Sequence, residues 1–163
     1  MRYPEIVGTG SFYPSLATNE QILSVLKPKK PDGSFIEPAW LERHFGIKTR
    51  GFDFDFERGK KRSPEDDGVY DSHLAIQAAR RALENAEITS DQIGSVIHVS
   101  ATPDFAIFQN HFSELILALE LSANAQFIHI NLGCAALATA FEVVHGELLR
   151  MGGEKYVLLV ASQ

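Results

Sequence analysis

The sequence predicts an α/β fold in which helices cover a parallel or mixed β-sheet. In the second half of the chain, short apolar segments of strand length alternate with longer segments of helical periodicity. The segment 155–161 is a continuous aliphatic run, which is typical of a strand in a parallel sheet. The predicted helices of this half are 71–86, 112–121 and 135–150, and the predicted strands are 95–100, 126–131 and 155–161.

The first half of the chain carries clear helix boundaries. Thr18, with Gln21 three residues later, forms a capping-box pattern that predicts the helix Asn19–Leu26. Pro38 in a first turn and Gly46 beyond the end predict a second, shorter helix. The remaining segments are a predicted strand at 3–10 and two predicted polar loops at 27–38 and 57–67.

Length and composition predict one soluble domain. With 163 residues, of which 45% are hydrophobic and 22% charged, the chain can bury a core. A formal net charge of −6 argues against nucleic acid or an anionic membrane as the main partner. The sequence has no apolar run of membrane-spanning length and no visible secretory signal, which predicts a cytoplasmic protein. The single cysteine excludes an internal disulfide, and the sequence shows no metal-ligand spacing.

Cys134 lies where a predicted strand meets a predicted helix, directly after Gly133. The glycine permits a tight turn, and the N–H groups at a helix N-terminus favour a thiolate, which is the nucleophilic form of cysteine. Ligands of open α/β sheets also bind beyond the carboxyl ends of the strands. A nucleophilic role is therefore one interpretation. The other is that Cys134 is a small buried hydrophobe.

Two histidines alternate with aliphatic residues in the predicted strands. His98 is flanked by Ile and Val, and His129 is flanked by two Ile residues. Because alternate residues of a strand share one face, we expect both imidazoles in the core or at an interface rather than in a metal site.

Four segments together resemble β-ketoacyl-ACP synthase III, a member of the thiolase-like condensing enzymes. The resemblance runs in order along most of the chain. It rests on IVGTGSFYPSLATNEQI at 6–22, Trp40 with FGIKTR at 45–50, AIQAARRALENAEITSDQIGSVIHVSAT at 75–102, and INLGCAALATAFEVVHGELLRMGGEKYVLLVAS at 130–162. It implies a thiolase-like α/β fold with a mixed central sheet. Residues 1–163 would form the N-terminal half of a five-layer αβαβα architecture, and the C-terminal half would be absent from this chain.

The resemblance implies an acyltransferase of fatty-acid or polyketide biosynthesis. Cys134 matches the cysteine that takes an acyl group from acyl-CoA or acyl-ACP as a thioester and passes it to a malonyl-ACP carbanion. No permanently bound cofactor is implied, because coenzyme A or the phosphopantetheine of acyl carrier protein delivers the acyl group. The family cysteine is usually followed by a small residue and Gly-Phe, whereas Ala135, Ala136 and Leu137 follow it here.

The resemblance also implies substrate-binding residues. Trp40 matches a tryptophan that stacks on the adenine of coenzyme A, and His44, with Arg43 beside it, matches an arginine that contacts coenzyme A. A neutral histidine binds phosphate less firmly than arginine, which also leaves delivery by a carrier protein open. Phe108 matches a phenylalanine that crosses a dimer interface to limit the partner's acyl pocket, so a homodimer or heterodimer is expected. For both aromatic residues, simple packing is the alternative interpretation.

The histidine and asparagine that complete the condensing site have no match in this chain. In the family both come from the second half, so a C-terminal half or a second subunit is an expected partner. Two other functions stay open: acyl transfer to an alcohol or amine in secondary metabolism, and a non-catalytic subunit of a condensing-enzyme complex. We also expect the chain to be unstable as an isolated monomer, because the missing half would normally cover a large apolar face.

Overall fold

The computed structural model describes residues 4–52, 54–61, 70–100 and 111–162, with the backbone alone for Lys61, His111, Phe112 and Cys134. The chain divides into two compact units. Met1–Phe12 and Tyr70–Gln163 form one, called the sheet unit here, and Tyr13–Val69 form the other, called the small unit. In chain order the elements are β1 (Leu16–Thr18), α1 (Asn19–Leu26), α2 (Pro38–Phe45), β2 (Thr49–Gly51), β3 (Phe54–Asp55), β4 (Lys60–Lys61), α3 (Asp71–Ala86), β5 (Ile93–Ser100), α4 (His111–Ala118), β6 (Gln126–Ile130), α5 (Ala136–Met151) and β7 (Tyr156–Ser162).

The sheet unit is built on three parallel strands in the order β6-β5-β7. Alternate residues of β5 point to opposite faces, and each face has its own apolar cluster. On one face Val96 packs with residues of α3 and α4, and on the other Ile97 packs with residues of α5. The parallel strands therefore carry helices on both faces, as the alternation of segments predicts. The carboxyl ends of all three strands meet at one edge of the sheet.

The small unit contains two antiparallel strand pairs, β1–β2 and β3–β4. Its α1 begins with the predicted capping box, since Gln21 N donates to Thr18 Oγ1 at 3.3 Å and Thr18 N donates to Gln21 Oε1 at 2.9 Å. The buried Asn19 links two parts of this unit: its Nδ2 donates to the Ile47 carbonyl at 2.7 Å, and its Oδ1 accepts from Arg50 at 3.2 Å.

The predicted helices are confirmed to within a few residues, and the predicted strand at 3–10 is wrong over its described part, 4–10. This segment lies against α3 instead of pairing in a sheet. Asn85 Nδ2 donates to the Thr9 carbonyl at 2.7 Å, and Arg81 donates to the Ser11 carbonyl at 2.6 Å. Side chains of α3 thus donate hydrogen bonds to backbone carbonyl oxygens that would otherwise accept from a neighbouring strand. Of the helices in the described ranges, none is long and apolar enough to cross a membrane.

Candidate functional site

The backbone around Cys134 has the strand–turn–helix form that the sequence predicts. β6 ends at Ile130, a 3₁₀ turn covers Gly133–Ala135, and α5 begins at Ala136. Gly133 has φ of 57°, a left-handed conformation that side chains with a Cβ adopt at a cost, which explains a glycine directly before the cysteine. Cys134 therefore lies at the carboxyl edge of the parallel sheet and at the amino end of a long helix.

The start of α5 is suited to a group that becomes negatively charged. The first N–H groups of a helix have no partner within the helix, and the helix dipole adds a partial positive charge there. Residues on either side of the turn are open to solvent, with Leu132 58% and Leu137 45% exposed. The residues that flank the turn at this end of the helix are therefore accessible from outside the core.

The three predicted substrate-binding residues of the small unit share one short helix. Trp40, Arg43 and His44 all lie on α2, which Pro38 starts and Gly46 ends in a left-handed conformation with φ of 68°. Trp40 is half-buried, whereas Arg43 and His44 are exposed in the last turn. The helix thus presents an indole and two basic side chains within one and a half turns.

His44 occupies one face of the Trp40 indole. The two rings are stacked with centroids 4.2 Å apart and an angle of 26° between their planes. His44 Nδ1 lies 2.8 Å from the Trp40 carbonyl oxygen, and because a carbonyl only accepts, this nitrogen carries the proton. The edge of Phe45 meets the indole as well, at 5.8 Å between centroids. A planar ring that stacks on the Trp40 indole must therefore use the face opposite His44.

A buried polar cluster stands at the carboxyl edge of the sheet. His98 is fully buried, and its Nε2 lies 2.7 Å from Ser162 Oγ and 3.8 Å from Asp71 Oδ2. Its ring lies 5.2 Å from that of His129, centroid to centroid. The expectation that both histidines are core or interface residues is confirmed for His98, and His129 is half-buried. No sequence pattern marks Asp71 and Ser162 as members of this cluster, because only the fold brings them next to His98.

A second polar contact lies near the far end of α5. Arg150 donates to both carboxylate oxygens of Glu147, at 3.3 and 2.7 Å. These bonds hold the pKa of the Glu147 carboxyl below its ordinary value of 4.5. Glu147 lies roughly three turns along the helix from its start. The Glu147–Arg150 pair therefore lies far from the Cys134 turn.

The sheet unit also contains an apolar cavity of about 490 Å³ beside β7. Its walls come from α3, α5, β7 and the segment 4–10, and its lining is mostly aliphatic. None of the three α2 residues lines it. The last predicted site residue, Phe108, lies outside the described residues.

Solved structures of two kinds of enzyme share this fold, whereas no protein-family model matches the chain. The 3-oxoacyl-[acyl-carrier-protein] synthase III of Aquifex aeolicus is 21% identical with a TM-score of 0.71, over 96% of this chain and 44% of that one. The corresponding synthase of Xanthomonas oryzae pv. oryzae is 23% identical with a TM-score of 0.71, over 96% and 42%. A Cys-to-Ser variant of Xanthomonas campestris OleA, with bound lauric acid and lauroyl-CoA, is 24% identical with a TM-score of 0.69, over 96% and 42%.

The chain spans less than half the length of these structures, as an N-terminal half of such an enzyme would. Their shared architecture confirms the resemblance that the sequence indicates at the level of the fold. The chain has the thiolase-like α/β fold of 3-oxoacyl-[acyl-carrier-protein] synthase III and OleA.

Proposed function

We propose that this chain is the nucleophile-bearing part of a thiolase-like acyltransferase, and that Cys134 accepts the acyl group. The observation that carries the proposal is the position of Cys134, between a parallel strand and the amino end of α5, in a fold shared with 3-oxoacyl-ACP synthase III. This position favours a thiolate and leaves an open approach for a thioester donor. Residues 1–163 would then act as an N-terminal half-domain.

The first step is a thioester exchange. The Cys134 thiolate attacks the donor carbonyl, a new S–C bond forms, and the donor S–C bond breaks. The released donor thiolate takes up a proton, which balances the one that the Cys134 thiol lost. N–H groups at the start of α5 lie near the developing negative charge and would stabilise it.

The second step passes the acyl group to an acceptor. In the proposed reaction a malonyl-ACP carbanion, formed by loss of CO₂, attacks the Cys134 thioester and gives a 3-oxoacyl product with release of the thiolate. The histidine and asparagine that this step uses in the family would come from a C-terminal half or a second subunit. An alcohol or amine acceptor would use the same acyl-enzyme, so the first step is common to both versions.

The donor would be bound through α2. Trp40 would stack on an adenine with the face that His44 leaves open, and Arg43 and His44 would contact phosphate groups. The OleA structure that contains lauroyl-CoA supports an acyl-CoA donor, and the synthase structures support an acyl carrier protein. Phe108 would limit the acyl pocket across a dimer interface. The dimer and a cytoplasmic location stay predictions.

The test is the mass of the intact protein after incubation with acyl donors. The purified protein, with any subunit that co-purifies with it, is mixed with acyl-CoAs from acetyl to lauroyl and with the matching acyl carrier proteins. We expect a mass gain equal to one acyl group, and its loss in Cys134→Ala. A wild-type protein that gains no mass with any donor, or a Cys134→Ala variant that still gains it, contradicts the proposal. The first result would favour the non-catalytic subunit.

A further inference from the structure

Three other elements of the sheet unit bring side chains next to the imidazole of His98 on β5. Ser162, the last residue of β7, lies 2.7 Å from His98 Nε2, and Asp71, the first residue of α3, lies 3.8 Å from the same nitrogen. His129 of β6 is the direct register partner of His98 on β5. The exposed fractions of the His98 and Asp71 side chains are only 0% and 4%. The contact between His98 and Asp71 is therefore a feature of the interior rather than a chance surface contact.

The His98 cluster, defined as His98, His129, Asp71 and Ser162, stands at the edge of the sheet from which the Cys134 turn leaves. His129 is the next-to-last residue of β6 and lies five positions before Cys134 in the sequence. Ser162 ends β7, and His98 is two residues from the end of β5. The cluster thus contains one side chain from near the carboxyl end of each of the three parallel strands.

We propose that His98 is a positioning residue for the Cys134 turn. Buried polar groups lose hydrogen-bond energy when displaced, so they tolerate few alternative arrangements and fix the register of the strands that carry them. In this cluster the fixed register includes the end of β6, and the chain then reaches Gly133 within three residues. The catalytic meaning of this role rests on the proposed function, but the role itself concerns only the geometry of the turn.

Asp71 adds a carboxyl group next to the His98 ring. Asp71 is in the first turn of α3, where the helix dipole favours a carboxylate, and this carboxylate faces the His98 ring. Loss of either partner would leave a buried polar group beside an apolar cluster that includes Val96 and Val160. Replacement of His98 by an apolar residue should therefore loosen the strand ends as well as lower stability.

The structure provides a matched control at the opposite end of α5. Glu147 is 8% exposed and bonds to Arg150. It is also a buried polar residue of the sheet unit, but it lies roughly three helical turns from the start of α5. Glu147→Gln should lower stability without a change at the Cys134 turn.

The test measures how fast iodoacetamide alkylates the thiol across a range of pH. Cys134 is the single cysteine, so the reagent reports on that residue alone. Because alkylation needs no acyl donor, its result is independent of the acylation test. We expect His98→Leu and the milder Ser162→Ala to change the maximal alkylation rate about tenfold or more, since displacement of about 1 Å changes reactivity strongly.

Rescue separates positioning from a general loss of stability. The amide of Gln can hydrogen-bond to Ser162. His98→Gln should therefore restore the alkylation rate to within about threefold of the wild-type rate, because only a small displacement of the turn would remain. Glu147→Gln should leave the rate unchanged although it lowers the unfolding free energy. Wild-type rates in both Ser162→Ala and a folded His98→Leu overturn the proposal. The proposal is also overturned if His98→Gln fails to restore the alkylation rate, or if Glu147→Gln changes that rate as much as His98→Leu does. If His98→Leu does not fold, the alkylation rate of Ser162→Ala decides between the outcomes.

Discussion

The two units of the chain are packed in different ways. The sheet unit buries two apolar clusters, one on each face of its parallel strands. Among the described residues of the small unit, only Ala17, Asn19 and Ile22 are buried, and α2 buries none. The proposed nucleophile therefore belongs to the well-packed unit, and the proposed donor-binding residues belong to the lightly packed one.

This difference matches the two tasks that we propose. A covalent step needs the reacting atom held in place, which a parallel sheet between helices supports. Recognition of a donor needs exposed groups that can stack and pair, which a short helix with a half-buried indole supplies. Substitutions in the sheet unit should therefore change stability and thiol reactivity, whereas substitutions on α2 should change affinity for the donor.

The largest expected effect is on the stability of the sheet unit. Ile97 is fully buried, with 0% of its surface exposed. Ile97→Ala should lower the unfolding free energy by about 2–5 kcal/mol, because apolar burial is lost and a cavity is left. The matched control is Ile6→Ala, since Ile6 is 73% exposed and should lose no more than about 0.5 kcal/mol. Urea unfolding measures both. Equal losses in the two variants would contradict the packing described for this unit.

The second largest expected effect is on the affinity of the small unit for the acyl donor. Trp40→Ala should raise the half-saturating concentration of an acyl-CoA donor about tenfold, because stacking of a base on an aromatic ring contributes about 1–3 kcal/mol. Phe35→Ala is the control, since Phe35 is a 56% exposed aromatic residue outside α2. Acylation rates against donor concentration supply the measurement. A donor affinity that is unchanged in Trp40→Ala would remove α2 from the proposed donor site.

The smallest effect concerns pH. The pKa of Glu147 is lowered in the folded protein by its bonds with Arg150, so the carboxylate adds stability above its ordinary pKa of 4.5. That contribution is lost as pH falls through the lowered value. Glu147→Gln should therefore lower stability at neutral pH by no more than about 1 kcal/mol, and the difference from wild type should shrink below about pH 4.5. Urea unfolding at several pH values tests this, and a difference that grows in acid would contradict it.

The sequence predicts local features well because they depend on neighbouring residues. The capping box of Thr18 and Gln21 and the left-handed Gly46 lie within a few residues of the helix ends that they define. The junction at Cys134 is likewise a local pattern of strand, glycine and apolar helix. These features place α1, α2 and the start of α5 to within one residue of the structure.

Polar contacts between residues far apart in the sequence cannot be predicted from such local patterns. Ser162 and His98 are 64 residues apart, and no pattern around either residue indicates the other. The segment 4–10 has strand-like composition, but Arg81 and Asn85 of α3 bond to the carbonyls of Ser11 and Thr9. The first contact depends on the pairing of β5 with β7, and the second on the packing of the segment 4–10 against α3. The roles of Cys134, Trp40, Arg43, His44 and Phe108 stay predictions that come from the resemblance.

Peptide mapping of the acylated protein shows directly whether Cys134 carries the acyl group. The protein is incubated with an acyl donor, digested at mildly acidic pH and sequenced by mass spectrometry. We expect the acyl group on the peptide that contains Cys134, and its release by neutral hydroxylamine, as for a thioester. An acyl group on any other residue, with the Cys134 thiol free, would contradict the proposed role of Cys134.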